Sequence, residues 1–552
     1  MANIIFEKIG SKMKTKIITL LAVCASIIFG ESAFFEPNAK IDDRIDLIVR
    51  TLSARCGVAV PSGLSQQPLD FYQIRNFLSQ VEESQNLTQT DREFLEILQD
   101  KFSGKSKLFG FEDGAAKRIL VNLDLSGDIR ANYKDSASLD AKGVISPRIN
   151  ANLGAISFYS EMDVWTQYRS DSAWYGSDYQ PYNGQTYNIL GDSPSHLRAA
   201  DNFRGGVSSQ FKSARIDVAV DNITSGPAVY NRLIMNAVDK PIFYTRVALD
   251  FKKIQYYQIF GLLREINLYN KYLYYHRLQF PFLDGKFVFG ISESIVSGST
   301  ADDETMAKAH PNQHLAPQHL NRDRKIEPVY MVPLMPYVFA EHYGGDLDNK
   351  QIALDFELKL PQTARWYMEV LIDDIQPSKI FEDHWGNKWA LTLGTQWFPA
   401  IAGKNAVFGL EYCRVEPWVY THFYGVANNY EHFGKGMGAE LGPNSAQIRG
   451  FAQYYFTQKH GLQFETAHNR FNRNARGGNI GDVFRYGYLD SEKNHLPADT
   501  EKKEFLGKDY QKTYEISLSY LFRQFKRFEM KASAIYDSEK GAGMDFCGGF
   551  RF

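Results

Sequence analysis

Residues 351–360, QIALDFELKL, alternate between apolar side chains and small or polar ones. The apolar set is Ile352, Leu354, Phe356, Leu358 and Leu360, and the opposite set is Gln351, Ala353, Asp355, Glu357 and Lys359. Because successive side chains of a β-strand point to opposite faces, this stretch predicts a strand with one apolar and one polar face. The same period of two begins after Lys117 and returns at 119–133, 365–373 and 513–522.

Three features favour a membrane barrel over a soluble β-sandwich, which would give the same alternation. The predicted strands run to about 10–14 residues, near the 9–11 that a tilted membrane-crossing strand needs. Opposed charges share the polar face, as a wet lumen allows: Asp355, Glu357, Glu369, Asp373, Lys388, Arg365 and Arg277. Aromatic residues gather near strand ends, as in the girdles of such barrels: Trp366, Trp389, Trp397, Phe398, Trp418, Tyr420, Phe522 and Phe525.

Residues 117–552 contain about eighteen such strand candidates, the usual spacing for a large barrel. Phe546, Phe550 and Phe552 share one face of the last strand, and this pattern resembles the C-terminal signal of outer-membrane barrels. The sequence therefore predicts a mainly β protein with a large antiparallel transmembrane β-barrel of about eighteen strands. Eighteen strands would enclose an aqueous channel, and the loops decide whether it is open.

The first 116 residues have a different character. Lys12, Lys14 and Lys16 precede the uncharged stretch 17–29, which predicts a signal peptide over residues 1–33. From Ile41 to about Phe102 the apolar residues follow a helical period in three segments, which predicts a small α-helical bundle domain over residues 34–116. Thr90 and Glu93 read as a capping box at the start of its third helix.

The composition excludes several classes of protein. A net charge of −2 gives no basic excess for nucleic-acid binding. Of the four cysteines, Cys24 lies in the predicted signal peptide. The other three, Cys56, Cys413 and Cys547, are odd in number and far apart, which indicates neither a disulfide framework nor a zinc site. We therefore expect no metal and no cofactor.

No catalytic signature stands out in the chain. Gly-x-Ser-x-Gly, His-Glu-x-x-His and Walker-type motifs are all absent from the sequence. His310, His314 and His319 share one loop without a metal-ligand pattern, and Asp373 and Asp374 are neighbours that point to opposite faces of a strand. Asp373 is better placed for a salt bridge in the lumen. We expect a protein that is not an enzyme and has no catalytic residues.

Four connections exceed a tight turn: 170–197, 298–328, 421–446 and 472–508. The first and third mix Tyr and Trp with Asn, Asp and Gly, as a sugar-binding surface requires, since rings stack on pyranose faces and carboxylates and amides bind hydroxyls. The alternative is that these aromatics pack the loops or fill the lumen. Candidate polysaccharide-binding residues are Trp174, Tyr175, Tyr179, Tyr182, Tyr424, Tyr430, His432 and Tyr486.

Several segments together resemble the Wzi family of capsule-assembly outer-membrane proteins. They are Ser225-Gly226-Pro227, Arg232-Leu233, 271–278, 289–293, 330–336, Glu341-His342, 345–349, Ile372-Asp373-Asp374, Asn387-Lys388, Glu411-Tyr412, Arg414, Glu416-Pro417, His422 and 441–444. Their order covers about 225 residues of the barrel. Ala228 follows Pro227 here, where many members carry a Trp and a second Gly.

The resemblance implies an eighteen-stranded barrel that is plugged rather than open, with a periplasmic helical bundle. It also implies a non-enzymatic, lectin-like role in attaching exported capsular or exopolysaccharide to the surface of a diderm bacterium. The expected partners are that polysaccharide and the outer-membrane lipid, with the protein a monomer. The alternatives are a porin or solute channel, a structural or adhesion protein, and an outer-membrane enzyme.

Overall fold

A computed structural model describes most of the chain between residues 38 and 551. The described ranges are 38–39, 43–56, 58, 66–67, 69–84, 87–102, 108–113, 117–134, 136–171, 187–188, 196–211, 213–251, 253–264, 271–298, 325–344, 348–360, 363–422, 428–457, 459–480, 502–524 and 528–551. The predicted signal peptide lies outside these ranges.

Eighteen antiparallel strands form one closed barrel, which confirms the predicted fold class and strand number. They are β1 (Lys117–Tyr133), β2 (Ala137–Leu153), β3 (Ile156–Arg169), β4 (Leu197–Gln210), β5 (Ala214–Ser225), β6 (Met235–Asp250), β7 (Gln255–Leu263), β8 (Lys271–Phe282), β9 (Phe287–Gly298), β10 (Asn349–Leu360), β11 (Ala364–Asp374), β12 (Lys388–Trp397), β13 (Lys404–Val415), β14 (Ser445–Tyr455), β15 (His460–Phe471), β16 (Gln511–Gln524), β17 (Phe528–Asp537) and β18 (Gly541–Arg551).

The alternation read from the sequence sorts the two faces of the wall. In β10, Asp355 and Glu357 are buried inside the barrel, whereas Leu358 and Leu360 are exposed on its outer side. Outward apolar and inward polar side chains are the arrangement of a barrel that stands in lipid. None of the described helices is both long and apolar enough to cross a bilayer.

The two ends of the barrel differ in the length of their connections. At one end, which we call the short-turn end, β2 joins β3 through residues 154–155 and β10 joins β11 through residues 361–363. At the other, the long-loop end, the connections after β3, β9, β13 and β15 are the four long insertions seen in the sequence. β1 begins and β18 stops at the short-turn end, so the helices that precede the barrel join it there.

Four α-helices are described: α1 (Asp43–Cys56), α2 (Phe71–Glu82), α3 (Gln89–Phe102) and α4 (Tyr337–Gly344). The first three form the small helical region before the barrel, around a core that includes Leu52, Ile74 and Leu98. Short strands pair Asn38–Ala39 with Leu69–Asp70, and Glu431–His432 with Lys435–Gly436. Others are Gln66–Gln67, Phe109–Asp113, Tyr187–Asn188 and Ala400–Ile401.

The predicted capping box of the third helix is wrong by two residues. α3 begins at Gln89, so Thr90 lies inside the helix. Thr88 precedes it, and its hydroxyl accepts the amide of Asp91 at 3.2 Å while the Asp91 carboxylate accepts the Thr88 amide at 3.0 Å. The reciprocal cap therefore uses Thr88 and Asp91, because a capping residue must stand before the first helical turn.

The helices close against the short-turn end of the barrel. The ring of Phe94 in α3 meets Tyr455 of β14 edge-to-face at 5.2 Å between centroids. Tyr455 and Leu521 of β16 belong to the same buried apolar cluster as the helical core. Arg50 of α1 also donates to Glu357 of β10 at 3.5 Å. Aromatic, apolar and ionic contacts thus tie the helices to the barrel.

At the seam of the barrel, β1 pairs both with β18 and with the short strand Phe109–Asp113. β18 follows β1 as far as Arg551, which lies opposite Asp124. Phe109–Asp113 then continues along the same edge, with Phe109 opposite Val121. The segment between the helices and β1 thus extends the seam toward the short-turn end.

The predicted aromatic girdle is correct in part. Trp366 and Trp397 face outward and are exposed. Phe398 and Tyr420 are instead buried in apolar clusters inside the barrel, and Trp418 is buried against Gly477 of the connection after β15, which overturns their assignment to the girdle. These three residues follow the ends of β12 and β13, where the alternation no longer applies, and the chain turns inward. Phe525 lies outside the described residues.

Candidate functional site

The connection between β5 and β6, residues 226–234, folds into the lumen and is called here the first plug segment. Gly226 opens it at φ +120°, a conformation that favours glycine. A Cβ at this position would also run into the carboxylate of Glu369. The segment can therefore pass close to the wall only because this residue has no side chain.

Two wall carboxylates hold the backbone of the first plug segment. Glu369 of β11 accepts the amides of Ala228 at 2.7 Å and Leu233 at 2.8 Å. Glu411 of β13 accepts three amides, from Val229 at 2.9 Å, Tyr230 at 3.2 Å and Asn231 at 2.8 Å. Buried amides need acceptors, because a buried donor without one costs free energy. Hydrogen bonds from its backbone to the wall therefore fix the first plug segment in place.

The helical region reaches the same plug from the short-turn end. Gln66–Gln67 pairs as a strand with Thr224 and Ser225, the last residues of β5. Arg365 of β11 donates to the carbonyl of Pro227 and to Glu357, the carboxylate that also binds Arg50. One chain of contacts therefore runs from α1 through the wall to the plug.

The described residues between β13 and β14, 416–422 and 428–444, form the second plug segment, which packs against the first. Tyr420 and Tyr430 stack at 5.7 Å between ring centroids, and both are fully buried. The Tyr420 hydroxyl donates to the carbonyl of Leu233 at 2.8 Å and the Tyr430 hydroxyl to that of Ile234 at 2.5 Å. Burial raises the pKa of both phenols above the ordinary value of 10, so both stay neutral donors.

Asp373 of β11 has a role other than the salt bridge predicted for it. Its carboxylate accepts the amide of Tyr420 at 2.5 Å, and so it holds the second plug segment. Asp374 pairs with Lys388 across a β-bulge and lies 3.9 Å from its ammonium group. The register shift between Ile372 and Asp374 breaks the strict alternation from which opposite faces were predicted for the two acids.

A cavity of about 1320 Å³ remains between the plug and the wall on the side of β14–β18 and β1. It is lined by acidic side chains from Asp128, Glu431, Glu440, Glu465 and Glu529, and by basic ones from Arg232, Lys435, Arg449, Arg473 and Lys531. Acidic and basic groups are balanced, so the lining offers hydrogen bonds to a neutral polar ligand as readily as to a charged one.

One aromatic ring stands among these polar groups. Tyr230 of the first plug segment lies in the cavity lining, with the Arg449 guanidinium 4.2 Å from its ring centroid. Its hydroxyl donates to Glu465 at 3.4 Å. An aromatic face beside carboxylates and guanidinium groups is chemistry suited to a sugar ring. Sequence reasoning missed this residue because it lies in a connection that reads as an ordinary turn.

The structure gives different positions to the eight predicted polysaccharide-binding residues. Six lie outside the described residues and stay predictions: Trp174, Tyr175, Tyr179, Tyr182, Tyr424 and Tyr486. Tyr430 is buried in the plug, and His432 is buried beside it, where it accepts the amide of Arg264 at 3.0 Å. These two rings fill the lumen, which is the alternative considered for the loop aromatics.

The His310, His314 and His319 loop also lies outside the described residues. Within the described ranges, no group of three or more His, Cys, Asp or Glu side chains is placed to hold a metal ion. The chemistry that the described lumen offers is hydrogen bonding and ring stacking.

No protein-family model matches the chain, and no curated protein matches it in sequence. Among solved structures it is similar to Wzi of Escherichia coli, described as a carbohydrate-binding β-barrel of the outer membrane involved in group 1 capsule assembly. The TM-score is 0.56 at 13% identity, over 94% of this chain and 99% of Wzi.

Solved structures of proteins from other bacteria give lower TM-scores. OpdK of Pseudomonas aeruginosa gives a TM-score of 0.40 at 8% identity, over 78% of this chain and 98% of that one. OccAB2 of Acinetobacter baumannii gives 0.42 at 10% identity, over 79% and 98%. The chain therefore shares the fold of Wzi, as the motifs in its sequence predicted, and this barrel fold places it in the outer membrane.

Proposed function

We propose that this protein is a non-enzymatic, lectin-like barrel that binds exported capsular or exopolysaccharide and attaches it to the cell surface. The observation that carries the proposal is the pair of plug segments that occupy part of the lumen. The first and second plug segments are bound to wall carboxylates at Glu369, Glu411 and Asp373, which favours a fixed binding surface over an open pore. The fold shared with a carbohydrate-binding outer-membrane barrel supports the same proposal.

The orientation in the membrane is part of this proposal. Barrels of the outer membrane keep short turns in the periplasm and long loops outside. The helical region adjoins the short-turn end, so we place it in the periplasm, and we place the loop 170–197 on the outer surface. Trp174 and Tyr175 would then be offered to polysaccharide outside the cell.

A deletion strain tests the proposal directly. Without the protein, polysaccharide should move from the cell-bound fraction to the medium, and the wild-type gene should restore it. A W174A/Y175A variant should restore it poorly, whereas Trp397→Ala, on the lipid-facing wall, should restore it fully. Polysaccharide that stays cell-bound in the deletion strain would refute the proposal.

A solute channel is the second candidate, and the cavity beside the plug favours it. Its lining runs from Arg473, near the long-loop end, to Leu521, which packs with the helices at the short-turn end. The purified protein in a planar bilayer separates the two functions. A binding protein should show no steady conductance, and a porin should show ohmic steps.

A further inference from the structure

Residues 325–344, between β9 and β10, lie on the outer side of the barrel wall. This segment, called here the strap, contains a short 3₁₀-helix, Pro328–Met331, and then α4. The ring of Tyr330 meets Tyr274 of β8 at 5.0 Å between centroids, and the ring of Tyr337 meets His276 at 4.2 Å. The strap thus packs against two residues of one face of β8.

Strand parity shows that this face is the outer one. Tyr275 of β8 bonds to Ser225 and Ser292 in the lumen, and Arg277 bonds to Asp355 at 2.5 Å. Tyr274 and His276 alternate with these residues and therefore point away from the lumen. Further along β8 toward the short-turn end, Phe282 on the same outer face is exposed, as expected of a lipid-facing residue.

The wall under the strap carries polar groups where lipid would otherwise lie, and the strap uses them. The amide of Glu327 donates to the Tyr274 hydroxyl at 2.8 Å, and the amide of Tyr337 donates to Glu293 of β9 at 2.9 Å. The same Glu293 carboxylate bonds to His276 at 2.8 Å. Backbone that is not in regular structure can lie at membrane depth only when its polar groups find partners in protein.

Two more contacts fix the ends of this arrangement. The amide of Leu334 donates to the hydroxyl of Tyr256 on β7 at 3.1 Å. Glu341 of α4 pairs with Lys350 on the outer face of β10 at 2.5 Å, and the glutamate is almost fully buried. The strap is therefore bonded across four strands, β7 to β10, and it covers the polar patch that they share.

The other side of the strap is apolar and uncovered. Phe339 is 63% exposed and Leu334 58% exposed, and Ile326, Met331, Val332 and Tyr343 are exposed as well. The exposed polar side chains Lys325 and His342 lie near the two ends of the strap. Elsewhere on the outer face of β8, the rings of Phe280 and Phe282 stack at 6.5 Å between centroids. A polar underside bonded to the wall with an apolar outer side is the distribution of a segment that faces lipid.

We propose that the strap is a membrane-contact segment, which lies in the bilayer with its apolar side against lipid acyl chains. Its partner is the lipid itself rather than a polysaccharide or a second protein. The inference stands on the geometry of the barrel alone, so failure of polysaccharide binding would not affect it.

Spin-label accessibility in vesicles of phosphatidylethanolamine and phosphatidylglycerol tests this assignment. A nitroxide is attached at Phe339→Cys after the native cysteines are replaced by alanine. Matched labels at Leu393→Cys, exposed on the outer face of β12, and at Glu440→Cys, in the lumen cavity, give the lipid and water references. Heat-modifiable migration on gels shows that each variant is folded.

The Phe339 label should relax with molecular oxygen more than with a water-soluble nickel chelate, as the Leu393 label does. Relaxation by the nickel chelate to the level of the Glu440 label would overturn the proposal. A label shielded from both reagents would also overturn it, since a protein partner would then cover the strap. If Phe339→Cys does not fold, Leu334→Cys provides the same measurement on the same surface.

Discussion

The bonds of Glu411 make the first plug segment open to a quantitative test. One carboxylate oxygen accepts the amides of Val229 at 2.9 Å and Tyr230 at 3.2 Å, and also the Tyr367 hydroxyl at 2.8 Å. The other oxygen accepts the amide of Asn231 at 2.8 Å. Replacement by glutamine keeps the volume and one acceptor, but turns the other into an amide group that donates.

The magnitude follows from the donors that lose their acceptor. In Glu411→Gln, the amides of Val229 and Tyr230 would face another donor, whereas the Tyr367 hydroxyl can rotate. A buried donor left unsatisfied costs about 1–3 kcal/mol, so two such amides give a loss of about 3 kcal/mol. Since 1.4 kcal/mol is a factor of ten, the plug should open about 100-fold more often.

Amide hydrogen exchange of the peptide spanning 226–234 measures this opening in the detergent-solubilised protein. The matched control is Glu465→Gln, a lumenal carboxylate of β15 whose contact with this segment is the 3.4 Å bond from the Tyr230 hydroxyl. Exchange in the control should stay within about threefold of wild type. Equal exchange in Glu411→Gln and wild type would refute the claim that this carboxylate holds the plug.

Other perturbations follow from the same geometry. Gly226→Ala should destabilise the plug by about 2 kcal/mol or more, because the alanine would have to adopt a positive φ and its Cβ would contact the Glu369 carboxylate. The control is Gly154→Ala, at φ +74° in an open turn, which should cost only about 1 kcal/mol. Thermal unfolding followed by gel shift compares the two variants. Arg50→Ala should remove one of the buried cations that pair with Glu357, so the helices should be cleaved by protease faster while the barrel stays intact. Arg50→Lys keeps the positive charge, so its helices should be cleaved more slowly than those of Arg50→Ala. Because burial raises the pKa of Tyr430 above 10, the closed plug keeps this phenol protonated, so closure should be stable below pH 10 and weaken above it. Conductance that rises with pH above 10, together with phenolate absorbance, would show this, and conductance that is flat up to pH 12 would contradict it.

The wall of the barrel could be predicted from the sequence because a strand in lipid must alternate. β10 is the example, with its apolar and polar sets on the predicted faces. The rule fails where protein covers the outer wall. β8 carries Tyr274 and His276 on its outer face, and their polarity is explained by the strap rather than by any local pattern.

The segments that enter the lumen could not be predicted, because a plug segment has no regular alternation of apolar and polar residues. The first plug segment is held by long-range bonds to Glu369 and Glu411, and its sequence looks like a turn. The local signal that it does offer is Gly226-Pro227, a pair typical of tight turns, which marks a bend without giving its direction. The assignment of Trp418 and Tyr420 to the aromatic girdle was wrong for the same reason. An aromatic residue just beyond a strand end can point either toward lipid or into the protein, and no local pattern distinguishes the two.

The seam has a consequence for how the molecule is made. The last strand lies beside the first, so no shorter stretch of this chain satisfies its own strand edges, and closure waits until Gly541–Arg551 has been synthesised. Phe109–Asp113 joins that same edge and leads directly to the helices. Closure of the barrel and docking of the amino-terminal helices should therefore occur together, in one late step of assembly.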